Sequence, residues 1–388
     1  MPNAFRFIWL PILVAMGFPA KVSAHTQTGA FQETALLRAP EIVDCTLENG
    51  ARTKCQKLTL GYLPDGLEIG PFCPATVNDA GGLWEWTGEN AGLYRIDGNF
   101  LRMLDGLGYR FFDDEGHVYS VDNATERPTV DHACINVSLD ESVEITMLLP
   151  VQPVMADTPT ALGVVSKVGV ALDGVPIFSD APPIQVTGHM PALDTCGGHV
   201  DPGGWYHWHG TSTDVATVFK EENISADCAI KQDASAHFGY AFDGFPMYGS
   251  LEADGSTPVG LDACGGHVGT TANGKTYHYH SSKDFPNLPA CLVGVVAEHN
   301  FTTTATAGIG AQRAGEDRRN EPPRPNGGPG GMAPGFEDAA KTLGVTPEAL
   351  LHAMNEAGGP RADLAAAAAA LGIDEATLRN ALPRPPRP

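Results

Sequence analysis

Leu193-Asp-Thr-Cys-Gly-Gly-His-Val200 and Leu261-Asp-Ala-Cys-Gly-Gly-His-Val268 are nearly the same eight residues. They do not stand alone. Upstream, Gly169-Val-Ala-Leu-Asp-Gly-Val-Pro-Ile-Phe178 matches Gly239-Tyr-Ala-Phe-Asp-Gly-Phe-Pro-Met-Tyr248, and downstream Trp205-Tyr-His-Trp-His209 answers Thr276-Tyr-His-Tyr-His280. Three blocks recurring in one order with similar gaps define a duplicated unit, over about 167–228 and 237–291. Two copies are too few for a solenoid, so the repeat predicts one pseudo-symmetric domain.

The blocks read as strands and turns. Tyr206 to His209 and Tyr277 to His280 alternate aromatic residues with histidine, which suits a pleated strand. Asp173-Gly174 and Asp243-Gly244 are turn signals between apolar runs. With the similar pattern upstream, residues 45–300 read as one mainly antiparallel β domain, preceded by a lead-in over 25–44. Composition changes near 301, and 301–335 reads as a Pro/Gly-rich linker. Beyond it, Leu343-Gly-Val-Thr-Pro-Glu-Ala-Leu350 aligns with Leu371-Gly-Ile-Asp-Glu-Ala-Thr-Leu378, a two-copy helical module over 336–384. Thr346 and Asp374 stand at N-cap positions, Pro347 suits the first turn, and Leu350, Met354, Leu378 and Leu382 give the apolar spacing. The expected class is mainly β: a duplicated, disulfide-framed β domain followed by a small α-helical C-terminal repeat.

The chain has 388 residues with 46 acids against 24 Lys plus Arg, a formal charge of −22. That field repels phosphate backbones, so nucleic-acid binding is excluded as a function, and the C-terminal helices read as a protein-partner or spacer module instead. Residues 1–24 read as a signal peptide: Arg6, an apolar run from Phe7 to Phe18, then Val22-Ser23-Ala24 at a cleavage position. No later stretch is apolar for long enough to span a membrane once that segment is removed, which predicts a secreted or periplasmic protein. In such a compartment eight cysteines predict up to four disulfides. The simplest duplicated framework pairs Cys196 with Cys228 and Cys264 with Cys291, closing loops worth about 3–4 kcal/mol each. Cys45, Cys55, Cys73 and Cys134 then remain, with Cys45–Cys55 and Cys73–Cys134 as one of three connectivities.

The histidines carry the chemistry. Side chains at i and i+2 on a strand share a face, so His207 with His209, and His278 with His280, converge. His199 and His267 each follow a Gly-Gly turn and can fold back as a third ligand. Three imidazoles per copy suit Cu(II) or Zn(II). Asp173, Asp194, Asp243 and Asp262 are the candidate acceptors that orient those rings. The same residues can equally form a metal-free buried network in which His bonds Asp and Tyr bonds backbone. If cleavage follows Ala24, His25 becomes the first residue, and its amine and imidazole form a further candidate copper chelate. No Gly-rich phosphate loop is present, so no nucleotide cofactor is expected.

Tyr277-His-Tyr-His280, with the Cys-Gly-Gly-His block before it and Ala241-Phe-Asp-Gly-Phe-Pro246 upstream, resembles the YHYH-domain proteins, a family of exported proteins. The resemblance covers roughly 150–300, and the first copy departs from it at Trp208. It implies that the paired histidines and the Cys-Gly-Gly-His block belong to one site or one framework. Three function classes follow: an exported metal-binding domain for metal handling or recognition, a secreted metal-dependent hydrolytic or oxidative enzyme, and a disulfide-framed adhesion or scaffold domain with structural histidines. No catalytic residue is singled out.

Overall fold

A computed structural model describes residues 30–304, apart from 65, 123–129, 163–165, 180–183, 185–187, 222–223, 231, 273 and 283–287. It also describes 336–382, apart from 347–348, 351–352, 355–356 and 358–363. The expected signal peptide, His25 and most of the expected linker lie outside these residues.

The chain opens with β1 (Glu41–Thr46), β2 (Arg52–Leu60), β3 (Leu83–Trp86), β4 (Gly92–Arg95) and the helix α1 (Gly98–Gly106). β5 (Ser120–Val121), β6 (Ala133–Ile135), β7 (Glu144–Pro150) and β8 (Met155–Ala161) follow. The first copy contributes β9 (Lys167–Ala171), β10 (Pro176–Phe178), β11 (His189–Met190), β12 (Gly198–Val200), β13 (Tyr206–Trp208) and α2 (Ser212–Glu221). The second contributes β14 (His237–Ala241), β15 (Pro246–Tyr248), β16 (Gly266–Thr271) and β17 (Gly274–His280). β18 (Cys291–Gly294) and β19 (Phe301–Thr304) close the β region, and α3 (Phe336–Leu343), α4 (Leu364–Leu371) and α5 (Glu375–Ala381) come last. The protein is mainly β, and it carries four disulfides.

The largest sheet has eight strands in the order β12-β13-β10-β9-β14-β15-β17-β16. Outward from the β9–β14 pair both halves are built alike: an antiparallel hairpin, a parallel neighbour, then an antiparallel edge strand. At the middle, Val170 pairs with Tyr240, which stands at the matching place in the other copy, and Gly169–Ala241 is mirrored by Ala171–Gly239. A Cβ on Gly169 would lie 2.2 Å from the Tyr240 carbonyl oxygen and one on Gly239 2.6 Å from that of Val170, so both positions require glycine for the strands to meet.

A second, four-stranded sheet, β1-β2-β7-β19, covers the core. β7 shows the expected alternation: Ile145, Met147 and Leu149 are buried while the residues between them are only partly so. Its partner β19 occupies the first four residues of the stretch read as linker, because one aromatic followed by three exposed threonines has a linker's composition. Phe301 is buried, with ring centroids 5.7 Å from Phe178, 5.3 Å from Trp205 and 6.2 Å from Phe242.

The disulfides are Cys45–Cys55, Cys73–Cys134, Cys196–Cys228 and Cys264–Cys291. In the C-terminal helices, Leu350, Met354, Leu378 and Leu382 form a separate cluster with Ala339, Ala340, Ala367 and Ala368. Asp374 caps α5 through the Thr377 N–H, and the Thr346 hydroxyl accepts from the Ala349 N–H. Among the described residues no helix is long and apolar enough to cross a membrane.

Phe301→Ala is expected to cost about 3–5 kcal/mol, the usual price of emptying a phenylalanine site in a core. Thr303→Ala, on the exposed side of the same strand, should stay within about 0.5 kcal/mol. Denaturant melts of the two variants check both; equal effects would mean β19 does not close the core.

Candidate metal centres

Two groups of histidines converge, one per copy. In the first centre, β12 and β13 pair so that His199 faces His207 directly. His209, two residues on from His207, returns to the same face. The three Nε2 atoms lie 2.9 Å (His199–His207), 2.9 Å (His207–His209) and 3.1 Å (His199–His209) apart. Ligand bonds of about 2.0–2.1 Å at angles of about 90–110° would separate three nitrogens by about 2.9–3.4 Å, so the spacing matches a shared cation.

The second centre repeats this with an addition. β16 and β17 place His267 opposite His278, with Nε2 atoms 3.1 Å apart, and His280 joins them. Glu252 completes the group, its Oε1 3.2 Å from His267 Nε2 and 3.9 Å from His280 Nε2. Glu252 sits in a tight turn, its N–H bonded to the Ser256 carbonyl and its carbonyl accepting from Gly255. Repeat logic cannot find it, because its counterpart seventy positions earlier is Pro182.

The tautomers follow from the far side of each ring. His199 Nδ1 reaches the Pro191 carbonyl at 3.2 Å, and His267 Nδ1 reaches that of Val259 at 3.1 Å. His278 Nδ1 lies 3.3 Å from the Thr276 carbonyl, and His280 Nδ1 2.7 Å from that of Gly249. His209 is held in the same way by the Ser179 backbone. A ring whose Nδ1–H donates to a carbonyl presents a bare lone pair at Nε2. In the second centre the three Nε2 atoms and the Glu252 carboxylate therefore face one another. His280 Nε2 is buried and has no hydrogen-bond partner among the described residues. In the first centre only His207, whose Nδ1 is unpartnered, can supply a proton, which satisfies one of the two remaining nitrogens.

The four aspartates do not orient these rings. Alternation along β13 and β17 sends Tyr206, Trp208, Tyr277 and Tyr279 to the opposite face from the histidines, and the carboxylates are on that face. Tyr206 donates to Asp194 and Tyr277 to Asp262, each at 2.9 Å. Trp208 Nε1 donates to Asp173 at 3.3 Å, and Tyr279 to Asp243 at 2.5 Å. Asp194 also accepts from the N–H groups of Cys196 and Gly198, and Asp262 from those of Cys264 and Gly266, bracing the turn that carries His199 or His267. Gly197 and Gly265 occupy that turn at φ +87° and +76°, a left-handed conformation that favours glycine. Backbone carbonyls fill the orienting role expected of aspartate.

Just past the centres, the hydroxyls of Thr211 and Ser281 both donate to buried Asp214, at 2.6 and 2.5 Å, so the segments following His209 and His280 meet at one carboxylate. Tyr248 lies between His278, at 5.1 Å, and His237, at 5.3 Å, which places a histidine without a repeat partner directly behind the second centre. Gly269 leaves the rings their space: a Cβ there would lie 2.8 Å from His278 Cε1 and 3.2 Å from His267 Nε2.

A family model described as YHYH protein matches residues 146–260. The match includes all three histidines of the first centre and Glu252, and stops before His267. Neither a curated protein nor a solved structure matches the chain.

Two predictions follow from the geometry. Gly269→Ala should abolish binding at the second centre alone, read as loss of one ion by calorimetric titration with unchanged circular dichroism; undiminished stoichiometry would contradict it. The second concerns pH. Burial pushes His199 and His237 down to about 4, holds His207 and His209 well below 6.5, and also lowers His132, His189, His278 and His280. The unfolded chain then takes up protons first, so the stability these groups give above pH 6.5 is lost as pH falls towards 4. Burial raises Asp173, Asp194 and Asp243 to about 6, which acts oppositely: their contribution is present at low pH and lost as pH rises through 6. Eight imidazoles outweigh three carboxyls. Chelator-treated protein should melt at a lower temperature at pH 5 than at pH 7, and a rise on acidification would refute this balance.

Proposed function

We propose that this chain, with its YHYH domain, is an exported metal-binding protein with two transition-metal centres, His199-His207-His209 and His267-His278-His280-Glu252. The observation that carries the reading is the convergence of bare Nε2 lone pairs in buried surroundings, where only a cation satisfies them all. Protons are the weaker candidates, since burial disfavours imidazolium at His207 and His209 and at His278 and His280. Imidazole ligands suit Cu(II) and Zn(II), and the function is metal handling.

The matching pairings either side of β9 and β14, together with the repeated sequence blocks, support an ancestral duplication that gave each copy its own centre. Four disulfides agree with an oxidising destination, reached after cleavage of residues 1–24. The β domain read over 45–300 extends from β1 to β19, over 41–304, and the helical module serves a protein partner.

Chelator-treated protein should take up two equivalents of Zn(II) or Cu(II), and its melting temperature should rise with added ion, because a ligand bound only by the native state stabilises it. His207→Ala with His209→Ala should remove one equivalent, and adding His278→Ala with His280→Ala the other. A structural network predicts the reverse: a wild-type melting curve indifferent to both ions, and variants weakened by about 1–3 kcal/mol as buried partners go unpaired.

A further inference from the structure

The two centres share their ligands' backbone but not their cover. Leu193 and Val200, flanking His199, are 5% and 4% exposed; the matching Leu261 and Val268, flanking His267, are 39% and 60% exposed. Over the first centre Leu193 exchanges both backbone hydrogen bonds with Leu83 of β3, at 2.7 and 3.0 Å. Its side chain packs with Leu83, Val215 and Phe219, the last two from α2. Val215 presses on the Gly-Gly turn itself, since a Cβ on Gly197 would lie 2.7 Å from its Cγ2. At Gly265 the nearest atom to such a Cβ is the His280 carbonyl oxygen, at 3.7 Å.

The strand histidines themselves are equally buried, His207 and His209 at 3% and 4% and His278 and His280 at 2% and 4%, so the difference lies in their neighbours. His207 lies against Phe178 and Trp205, with centroids 5.0 and 5.1 Å away; in the second copy Tyr248 stands in for Phe178, 5.1 Å from His278, but Thr276 replaces Trp205. The carbonyl that holds His199 belongs to buried Pro191; the one that holds His267 belongs to Val259, which is 79% exposed. Glu252, with 26% of its side chain exposed, puts a ligand oxygen within reach of solvent.

Taking the two-centre reading as its basis, we propose that the first centre holds a resident ion and the second exchanges its ion with the surroundings as cargo. Release from a centre proceeds by ligand substitution, in which an incoming donor must reach the metal before a protein ligand leaves. No electrons move. At the second centre the Glu252 side and the bare Leu261–Val268 rim admit that donor. At the first centre β3 or α2 must first detach, and such an opening draws on the stability of the packed core.

The test is chelator challenge of the full chain loaded with two equivalents of Zn(II), with 4-(2-pyridylazo)resorcinol as the absorbing acceptor. One equivalent should leave at least ten-fold faster than the other. The fast phase should vanish in His278→Ala/His280→Ala and the slow phase in His207→Ala/His209→Ala, while Glu252→Gln should quicken the fast phase alone. If the His207/His209 variant fails to fold, Phe219→Ala keeps the ligands and thins the cover, and should quicken only the slow phase. Equal release rates, or a fast phase that follows His207 and His209, would overturn the division of roles. A chain that retains no zinc before chelator is added would instead defeat the two-centre reading itself.

Discussion

Everything in the site depends on the two-residue period of one short strand. In Tyr206-His-Trp-His209 and Tyr277-His-Tyr-His280, hydroxyls and the indole point to one side and imidazoles to the other. The first side is tied to Asp194, Asp173, Asp262 and Asp243, so each strand is gripped by carboxylates that never touch the histidines. A slip of one residue would set tyrosines in the metal position and imidazoles against buried carboxylates. The aspartates therefore fix register. Burying Asp173, Asp194 and Asp243 is costly, as their rise to about 6 shows, and the bonds from tyrosine, tryptophan and backbone offset that cost, whereas Asp262 is exposed.

From that register the third histidine follows. Asp194 and Asp262 each bridge a tyrosine on one strand and the Cys-Gly-Gly turn of its neighbour, which sets His199 opposite His207 and His267 opposite His278. Cys196–Cys228 and Cys264–Cys291 then anchor the same turns to later parts of the chain, and here the copies diverge. After the first centre the chain folds α2 back over the turn before reaching Cys228. After the second it runs on to β18, which pairs with β8 and leaves the turn open.

How much of this was legible in the sequence can be read from single residues. The repeat and the Tyr-His-X-His alternation are local, so the strands, the two histidine pairs and their Cys-Gly-Gly-His partners could be set out from spacing alone. The loop-closing cysteine pairs follow the same local logic. What spacing does not carry is which side of a strand a distant carboxylate occupies, and there Asp173, Asp194, Asp243 and Asp262 were expected beside the imidazoles but stand behind the tyrosines and Trp208. Glu252 was invisible for a different reason: seventy positions earlier stands Pro182, so the repeat offers no matching donor. β19 was hidden by composition, since Phe301 declares itself only through the aromatic rings it meets.

On the metal-binding reading proposed above, the acidity of the whole chain acts at longer range. A formal charge of −22 attracts divalent cations of every kind and raises their concentration near the surface without discriminating among them. Discrimination has to come from the ligands. Ca²⁺ and Mg²⁺ take oxygen donors, and among the described residues the first centre offers no carboxylate, since Asp194 and Asp173 are held on the far face by Tyr206 and Trp208. A group of three neutral nitrogens is thus poorly suited to those ions and better suited to ions with imidazole affinity. The second group adds one oxygen and one negative charge from Glu252, whose side chain is 26% exposed. On that reading, selectivity and accessibility follow from the same two differences between the copies among the described residues, the Glu252 carboxylate and the exposed Leu261 and Val268.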